Sequence, residues 1–186
     1  QRYDFDEVRK IYQENQKQLD NLVQNIVQLS CENGQTIATA ESCTGGLLSQ
    51  KITAVPGASQ MFALGICTYT NEMKTAILHV PESTLHTYTA VSPQTAIAMA
   101  NGVAALSHAD LALSVTGYAG TGGGTSEHPV GTVFLGVAYH GTAFAVHLPF
   151  DQLGVSTREG VRQGTAVCAF GIAREILMEE SVCRNI

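Results

Sequence analysis

The sequence has no tryptophan and few positive charges. Lysine and arginine together number ten in 186 residues, and the formal net charge is −6. A protein that binds the phosphate backbone of DNA or RNA needs a cluster of positive side chains, so we expect no nucleic-acid partner. No stretch has the length of about 20 apolar residues that a membrane-spanning helix requires, so we expect no membrane partner either.

The sequence also lacks the short motifs of several nucleotide and metal enzymes. It contains no Gly-Lys dipeptide of a phosphate-binding P-loop, and its glycine-rich stretch GYAGTGGGT does not have the Gly-x-Gly-x-x-Gly spacing of a dinucleotide site. It contains no His-Glu-x-x-His motif, and its six histidines form no pair with the spacing of metal ligands. We therefore expect no metal site.

Cysteine pairs are absent as well. The five cysteines are an odd number and include no Cys-x-x-Cys motif, and the N-terminal residues do not have the pattern of a secretory signal. We expect reduced thiols and a cytoplasmic location. Cys31, Cys67 and Cys168 fall in apolar runs, where a small buried hydrophobic residue is expected. Cys43 is left open because it lies beside the serine considered below.

Apolar residues at intervals of three and four predict an amphipathic helix from about Asp6 to Glu32, which Asn33-Gly34 ends. Further along, strands and helices alternate, and a pair of strands flanks His140-Gly141 as a hairpin. The pattern predicts an α/β fold in which helices pack on a mixed sheet. The other predicted elements are buried strands at TIATA and MFALGICTY, a strand at DLALSVTG, and helices at LLSQKITAV, at NEMKTAILHV with Asn71 as its cap, after Ser92-Pro93, and at STRE with a capping box of Ser156 and Glu159.

The stretch TIATAESCTGGLLSQ places Ser42 between the end of a predicted strand and the start of a helix. The free N–H groups and positive end of a helix stabilise an oxyanion that develops beside such a serine. Thr44, Gly45 and Gly46 leave the approach to Ser42 open. The alternative is that Ser42 or Thr44 only caps the helix.

A serine nucleophile needs a base, and no histidine has a sequence context that singles it out. Lys74 follows Tyr69 by five residues across a strand-to-helix turn, so both side chains could reach one pocket. Burial or a nearby arginine would lower the pKa of Lys74, and the amine or the tyrosinate would then accept the serine proton. The alternatives are a solvated surface lysine and a strand tyrosine with its hydroxyl at the rim.

Three blocks in this order, TAESCTGG, TYTNEMK and SVTGYAGTGGGTSEHPVGTV, resemble the CinA C-terminal domain family, over about Leu19 to Leu177. The resemblance implies a three-layer α/β/α fold with a mixed sheet. It implies an amidohydrolase of pyridine nucleotide salvage that converts nicotinamide mononucleotide to nicotinate mononucleotide and ammonia, without metal or organic cofactor. Ser42 would be the nucleophile, and Tyr69 and Lys74 would form the base.

The resemblance also suggests how substrate is held. Arg158 lies in GVSTREGVR, where the family has GDRxxVR, and would bind the phosphate; the alternative is an exposed surface charge. Thr121 stands where proline is common and Tyr118 where a smaller residue is common, which leaves the pocket shape open. The full set of expected substrate contacts, with backbone N–H groups of residues 43–45 holding the oxyanion, is Cys43, Thr44, Gly45, Gly46, Thr116, Gly117, Gly120 and Arg158.

Three functions remain open from the sequence: the deamidase, a serine amidase of another substrate, and a catalytically silent nucleotide-binding regulatory module. The presence of Ser42, Tyr69 and Lys74 together speaks against the silent module. We expect one domain over residues 1–186, with a helical extension at about 1–18, a small-molecule nucleotide as ligand and a homo-oligomer by family analogy. Some family members carry a second, molybdopterin-binding-like domain, and whether this chain belongs to such a protein stays open.

Overall fold

The computed structural model describes residues 2–184, which form seven α-helices, a short 3-10 helix and five strands. The helices are α1 Phe5–Asn15, α2 Leu19–Asn33, α3 Leu47–Thr53, α4 Asn71–Leu78, α5 Glu82–Tyr88, α6 Pro93–Ser107 and α7 Arg158–Arg184, with the 3-10 turn at Ala58–Gln60. The strands are β1 Ile37–Glu41, β2 Phe62–Cys67, β3 Leu111–Gly117, β4 Thr132–Tyr139 and β5 Thr142–Pro149.

The strands form one mixed sheet in the order β2-β1-β3-β4-β5. Strand β1 pairs in parallel with β2 and β3, whereas β3, β4 and β5 pair antiparallel. The carboxyl ends of the three parallel strands, at Glu41, Cys67 and Gly117, therefore lie at one edge of the sheet. This edge is where open α/β sheets usually bind ligands.

Helices cover both faces of the sheet, which confirms the three-layer α/β/α arrangement. Helix α6 packs across all five strands on one face, with α4 and α5 beside it. Helix α7 lies on the other face and contacts α1, α2 and α3. The larger apolar core lies on the α7 side and a smaller one lies under α6. None of the helices in residues 2–184 combines the length and apolar composition needed to span a bilayer.

The prediction of one long N-terminal helix is wrong, because α1 and α2 are separate. Asn15 is buried at the end of α1, where its side-chain amide donates to the Ile11 carbonyl at 2.8 Å and its oxygen accepts from Arg174 at 3.2 Å. The chain then tightens, with the Gln18 N–H donating to the Asn15 carbonyl at 2.9 Å. The break depends on this contact with α7, which apolar periodicity does not report. Gly34 does end α2, with φ 62°.

Strand β2 was predicted to be buried, and this is wrong because it is an edge strand. Its residues alternate between half-buried and exposed. Cys67 on this strand is exposed, as is Cys31 on α2, so the expectation of burial fails for both. The expectation is confirmed for Cys168, which is buried in α7.

Two predicted helix caps shift by one residue. Thr70 rather than Asn71 caps α4, and its hydroxyl accepts from the Met73 N–H at 3.3 Å. At the start of α7 the Thr157 hydroxyl accepts from the Gly160 N–H at 3.0 Å, so the capping box of Ser156 is wrong. Ser92 caps α6 as predicted. The hairpin is also confirmed, since its two turn residues, His140 and Gly141, have the positive φ values, 49° and 75°, that a tight hairpin turn favours.

Candidate active site

Ser42 directly follows β1 at the edge where the parallel strands end. Its N–H donates to the Val115 carbonyl of β3 at 3.0 Å, and its carbonyl accepts from the Gly45 N–H at 3.1 Å in a tight turn. Gly45 and Gly46 complete the turn with φ values of 60° and 100°. Helix α3 has Gly46 at its N-cap and no capping side chain there. The alternative that Ser42 or Thr44 caps this helix is therefore wrong.

A buried glutamate takes the place of that cap. The Glu41 carboxylate is fully buried and accepts from the N–H groups of Leu48 at 2.8 Å and Ser49 at 3.1 Å. It also accepts from the hydroxyls of Ser49 at 2.9 Å and Thr44 at 2.7 Å. A negative charge at the N-terminal end of a helix is favourable. Sequence reasoning missed Glu41, although a glutamate at the end of an apolar strand, directly before a helix, was an available signal.

Lys74 is a buried amine that contacts the serine. Its side chain is 1% exposed, and Nζ donates to Ser42 Oγ at 3.1 Å and to the Thr68 carbonyl at 2.8 Å. Burial lowers the pKa of Lys74 from its usual value, and the neighbouring Cys43 and Cys67 oppose this only in part. The interpretation of Lys74 as a solvated surface charge is thus wrong. A lysine that favours its neutral form can accept a proton from the serine hydroxyl.

Tyr69 stands at the rim of the site and is 68% exposed. Within residues 2–184 the side-chain hydrogen bond to Ser42 Oγ comes from Lys74, and Tyr69 forms none with either residue. Lys74, and not Tyr69, is therefore the residue placed to exchange a proton with the Ser42 hydroxyl.

Cys43 lies next to Ser42, and its thiol is poorly suited to act as a nucleophile. Burial raises the pKa of the Cys43 thiol to about 12, with the Glu41 charge adding to the rise. The thiolate is the nucleophilic form of cysteine, and it is scarce at neutral pH under these conditions.

These groups surround a cavity of about 200 Å³. The structure also places four residues there that sequence reasoning did not connect with the site: Asn71 at the start of α4, Ala90 and Val91 between α5 and α6, and Ala119 after β3. Tyr118, expected only to affect the pocket shape, lines the cavity as well. Thr44, Gly45, Gly46 and Gly120 were expected at the site but do not line the cavity. The predicted residues that do line it are Ser42, Cys43, Tyr69, Lys74, Thr116, Gly117 and Arg158.

Residues at the end of β3 shape this cavity through packing. The buried Thr116 hydroxyl donates to the Ala90 carbonyl at 2.7 Å, which ties the α5–α6 connection to the sheet. A Cβ at Gly117 would lie 2.6 Å from Val133 Cγ2, so glycine is needed for the close approach of β4. A Cβ at Gly120 would overlap the Arg158 guanidinium, so this glycine lets Arg158 lie across the loop.

Two arginines of α7 reach the site in different ways. Arg162 donates to the Thr44 carbonyl at 2.9 Å and to Glu159 at 3.0 Å, so it braces the turn after Ser42. Arg158 is exposed in the first turn of α7 and lines the cavity. It forms no ion pair with any residue in the described part of the chain, which leaves its charge available to an anion. In residues 2–184 no group of three or more His, Cys, Asp or Glu is placed to hold a metal ion.

Comparison with known proteins gives the family of this chain. A family model for the CinA C-terminal domain matches residues 19–177. A CinA-like protein from Desulfotalea psychrophila is 42% identical over 161 residues, which is 87% of this chain and 38% of that protein. The chain spans 38% to 39% of the length of the first curated relatives it matches.

Solved structures show the same likeness. The crystal structure of competence/damage inducible protein CihA from Agrobacterium tumefaciens is 36% identical, with a TM-score of 0.79 over 88% of this chain and 95% of that one. A CinA superfamily protein from Klebsiella pneumoniae is 28% identical, with a TM-score of 0.81 over 87% and 98% of the two chains.

Proposed function

The chain belongs to the CinA C-terminal domain family, and on this premise we propose that it is an amidohydrolase that converts nicotinamide mononucleotide and water to nicotinate mononucleotide and ammonia. The observation that carries the proposal is the contact between Lys74 Nζ and Ser42 Oγ, 3.1 Å long, in a buried part of the cavity. It pairs a nucleophile with a base whose pKa burial lowers. Amide hydrolysis through a serine requires this pairing.

In the first half of the reaction, Ser42 Oγ attacks the carboxamide carbon as neutral Lys74 takes its proton. The carbonyl oxygen becomes an oxyanion. The Gly45 N–H already donates to the Ser42 carbonyl, and Thr44 does not line the cavity, so the N–H group of Cys43 is the proposed donor. The C–N bond then breaks, Lys74 returns the proton to the leaving nitrogen, and ammonia departs from an acyl-serine ester.

In the second half, water attacks the ester carbon and Lys74 takes a proton from that water. The bond to Ser42 Oγ breaks, Lys74 returns the proton to Oγ, and nicotinate mononucleotide leaves as the acid. The Thr68 carbonyl holds Nζ in place through both halves, since it accepts from Nζ at 2.8 Å. One amine thus serves as base and acid in turn.

Arg158 is the proposed partner of the phosphate. It lies at the N-terminal end of α7 with its charge unpaired among the described residues, and both the guanidinium and the helix end attract anions. Arg162 is less suited because its guanidinium already binds Thr44 and Glu159.

Incubation of the purified protein with nicotinamide mononucleotide, with ammonia and the acid both quantified, tests the proposal. Ser42→Ala should abolish turnover while circular dichroism stays unchanged; full activity in that variant would refute the role of Ser42. Labelling of Ser42 by an acylating reagent without turnover of this substrate would favour an amidase of another substrate. Binding of the nucleotide with neither turnover nor labelling would favour a regulatory module.

A further inference from the structure

A second and larger cleft adjoins the cavity at Ser42. It has a volume of about 520 Å³ and is formed by the end of α5, the start of α6, the loop after β3 and part of β4. Tyr118 lines both spaces. The segment between α5 and α6 also contributes to both spaces. Ala90 and Val91 line the cavity, and Thr89 and Ser92 line the cleft. We call this space the hydroxyl cleft.

The cavity at Ser42 is too small to enclose a nucleotide. Its volume of about 200 Å³ is below the range of roughly 300–1,000 Å³ that is typical of sites for drug-sized ligands. A ligand whose carboxamide reaches Ser42 must therefore extend beyond this cavity. The hydroxyl cleft is the adjoining space, and Tyr118 marks the border.

The chemistry of the hydroxyl cleft suits a sugar better than a phosphate. Its lining includes the hydroxyl side chains of Thr87, Thr89, Thr125 and Ser126 together with the Glu127 carboxylate. Among the described residues that line it, none is lysine or arginine. A carboxylate accepts hydrogen bonds from the neighbouring hydroxyls of a ribose, as an acidic residue does in dinucleotide-binding folds, and it repels a phosphate.

The border between the two spaces is held firmly. The Tyr118 N–H donates to the Thr132 carbonyl at 2.9 Å, and its carbonyl accepts from the Gly131 N–H at 2.8 Å. The Tyr118 ring packs against Gly123, where a Cβ would lie 3.0 Å from the ring. In the same loop Thr125 and His128 exchange two hydrogen bonds, of 2.7 and 2.9 Å. This wall is therefore formed before any ligand arrives.

Thr89, on the opposite wall, has a strained backbone. Its φ of 67° and ψ of 173° fall in a region that glycine occupies almost alone, and threonine is β-branched. The Thr89 carbonyl accepts from the Ser92 hydroxyl at 3.2 Å and from the Thr95 hydroxyl at 2.6 Å, which holds this conformation. Such strain is concentrated at ligand sites, and Thr89 lines the hydroxyl cleft.

We propose that the hydroxyl cleft is a subsite for the ribosyl group of the substrate, with Glu127 accepting hydrogen bonds from its diol and the Tyr118 ring facing the pyridinium. The N-glycosylated pyridine is a cation, which an aromatic face attracts. The identity of the ligand rests on the proposed function, whereas the preference of the hydroxyl cleft for a ribosyl group does not.

The first test compares steady-state kinetics on nicotinamide mononucleotide. Glu127→Gln should raise KM about fivefold with kcat nearly unchanged, the effect of weakening about one hydrogen bond. Glu82→Gln is the matched control, because Glu82 is an exposed carboxylate on α5 outside the hydroxyl cleft, and its KM should not change. An active enzyme whose KM is unaffected by Glu127→Gln would overturn the subsite and leave the deamidase proposal standing.

A second variant separates binding from folding. Thr89→Gly removes a hydroxyl from the hydroxyl cleft, and glycine adopts the backbone conformation of this position without strain. We expect a raised KM and a melting temperature no lower than that of the wild type. An unchanged KM in this variant would count against the subsite.

Calorimetric titration with nicotinamide riboside tests the hydroxyl cleft even if the mononucleotide is not turned over. The wild type and Glu82→Gln should bind the riboside equally, and Glu127→Gln should bind it about fivefold more weakly. Absence of riboside binding to the wild type at millimolar concentration, or equal binding by Glu127→Gln, would overturn the subsite. Failure of turnover with intact riboside binding would instead refute the deamidase.

Discussion

Replacing Lys74 by methionine should abolish activity yet leave the fold at neutral pH about as stable as the wild type or more so. Lys74 is 1% exposed and has two hydrogen-bond acceptors, the Ser42 hydroxyl and the Thr68 carbonyl. Methionine has a similar length and fills the same space without an ionisable group. The variant therefore removes the base while it keeps the packing.

Two opposing free-energy changes decide the stability of Lys74→Met. Losing the donor leaves the buried Thr68 carbonyl without the Nζ hydrogen bond, which costs about 1–3 kcal/mol. Against this, the wild type must bury an ammonium or give up its proton, and each unit by which the pKa is lowered costs about 1.4 kcal/mol at low pH. The two effects are of similar size, so the pH dependence is more informative than the value at one pH.

The sign of that dependence follows from the lowered pKa. The unfolded chain protonates Lys74 near its ordinary pKa of about 10.4, and the folded chain does so only at lower pH. Above about pH 10.4 Lys74 is neutral in both states and does not lower the free energy of unfolding of the wild type. As the pH falls from there to the folded pKa, the unfolded chain binds a proton that the folded chain does not, and the free energy of unfolding decreases. Urea unfolding of both proteins should show that the free energy of unfolding of the variant rises relative to that of the wild type as the pH is lowered from about 10 to 7. A gap that does not change with pH would refute the reasoning.

Further predictions concern the reaction and its supports. The kcat/KM for nicotinamide mononucleotide should rise with pH through the lowered pKa of Lys74, because the proposed base must be neutral; a rise centred near pH 10.4, the ordinary pKa of lysine, would refute the lowered pKa. Glu41→Gln should lower the free energy of unfolding by about 2–4 kcal/mol in urea titrations, because an amide cannot accept from all four donors; no change would refute its role as anchor. Arg158→Ala should raise KM for the mononucleotide about tenfold and leave binding of nicotinamide riboside, which lacks the phosphate, unchanged; equal effects on both ligands would exclude a phosphate contact.

The meeting of Ser42 and Lys74 was predictable because each follows a parallel strand of one sheet. Parallel strands end at the same edge, so the segments just beyond β1 and β2 lie close together, and the first turn of α4 then brings Lys74 to Ser42. The helices that cover the sheet follow from the alternation of strands and helices along the chain. This is why the general architecture and the central pair of the site could both be anticipated.

The unpredicted features depend on contacts between distant parts of the chain. The break after α1 needs Arg174 of α7 beside Asn15, and the exposure of Cys67 follows from the position of β2 at the edge of the sheet. The role of Glu41 was not predicted for a related reason. Its hydrogen-bond donors lie at residues 44, 48 and 49, and only the folded turn brings them to one carboxylate. The spacing of apolar residues along the sequence indicates which face of a helix or strand is buried. It does not indicate which polar groups from distant parts of the chain will contact that element.

Glu41 and Lys74 show how one corner of the fold can hold two ionisable groups with different roles. Glu41 accepts four hydrogen bonds from the turn and from α3, so its carboxylate joins the end of β1 to the helix start. Lys74 has only two partners, and one of them is the hydroxyl whose proton it is proposed to take. Burial of Lys74 with so few partners disfavours its charged form and lowers its pKa. The Glu41 carboxylate thus holds the turn around Ser42 in place, and the Lys74 amine is the group proposed to take part in the reaction.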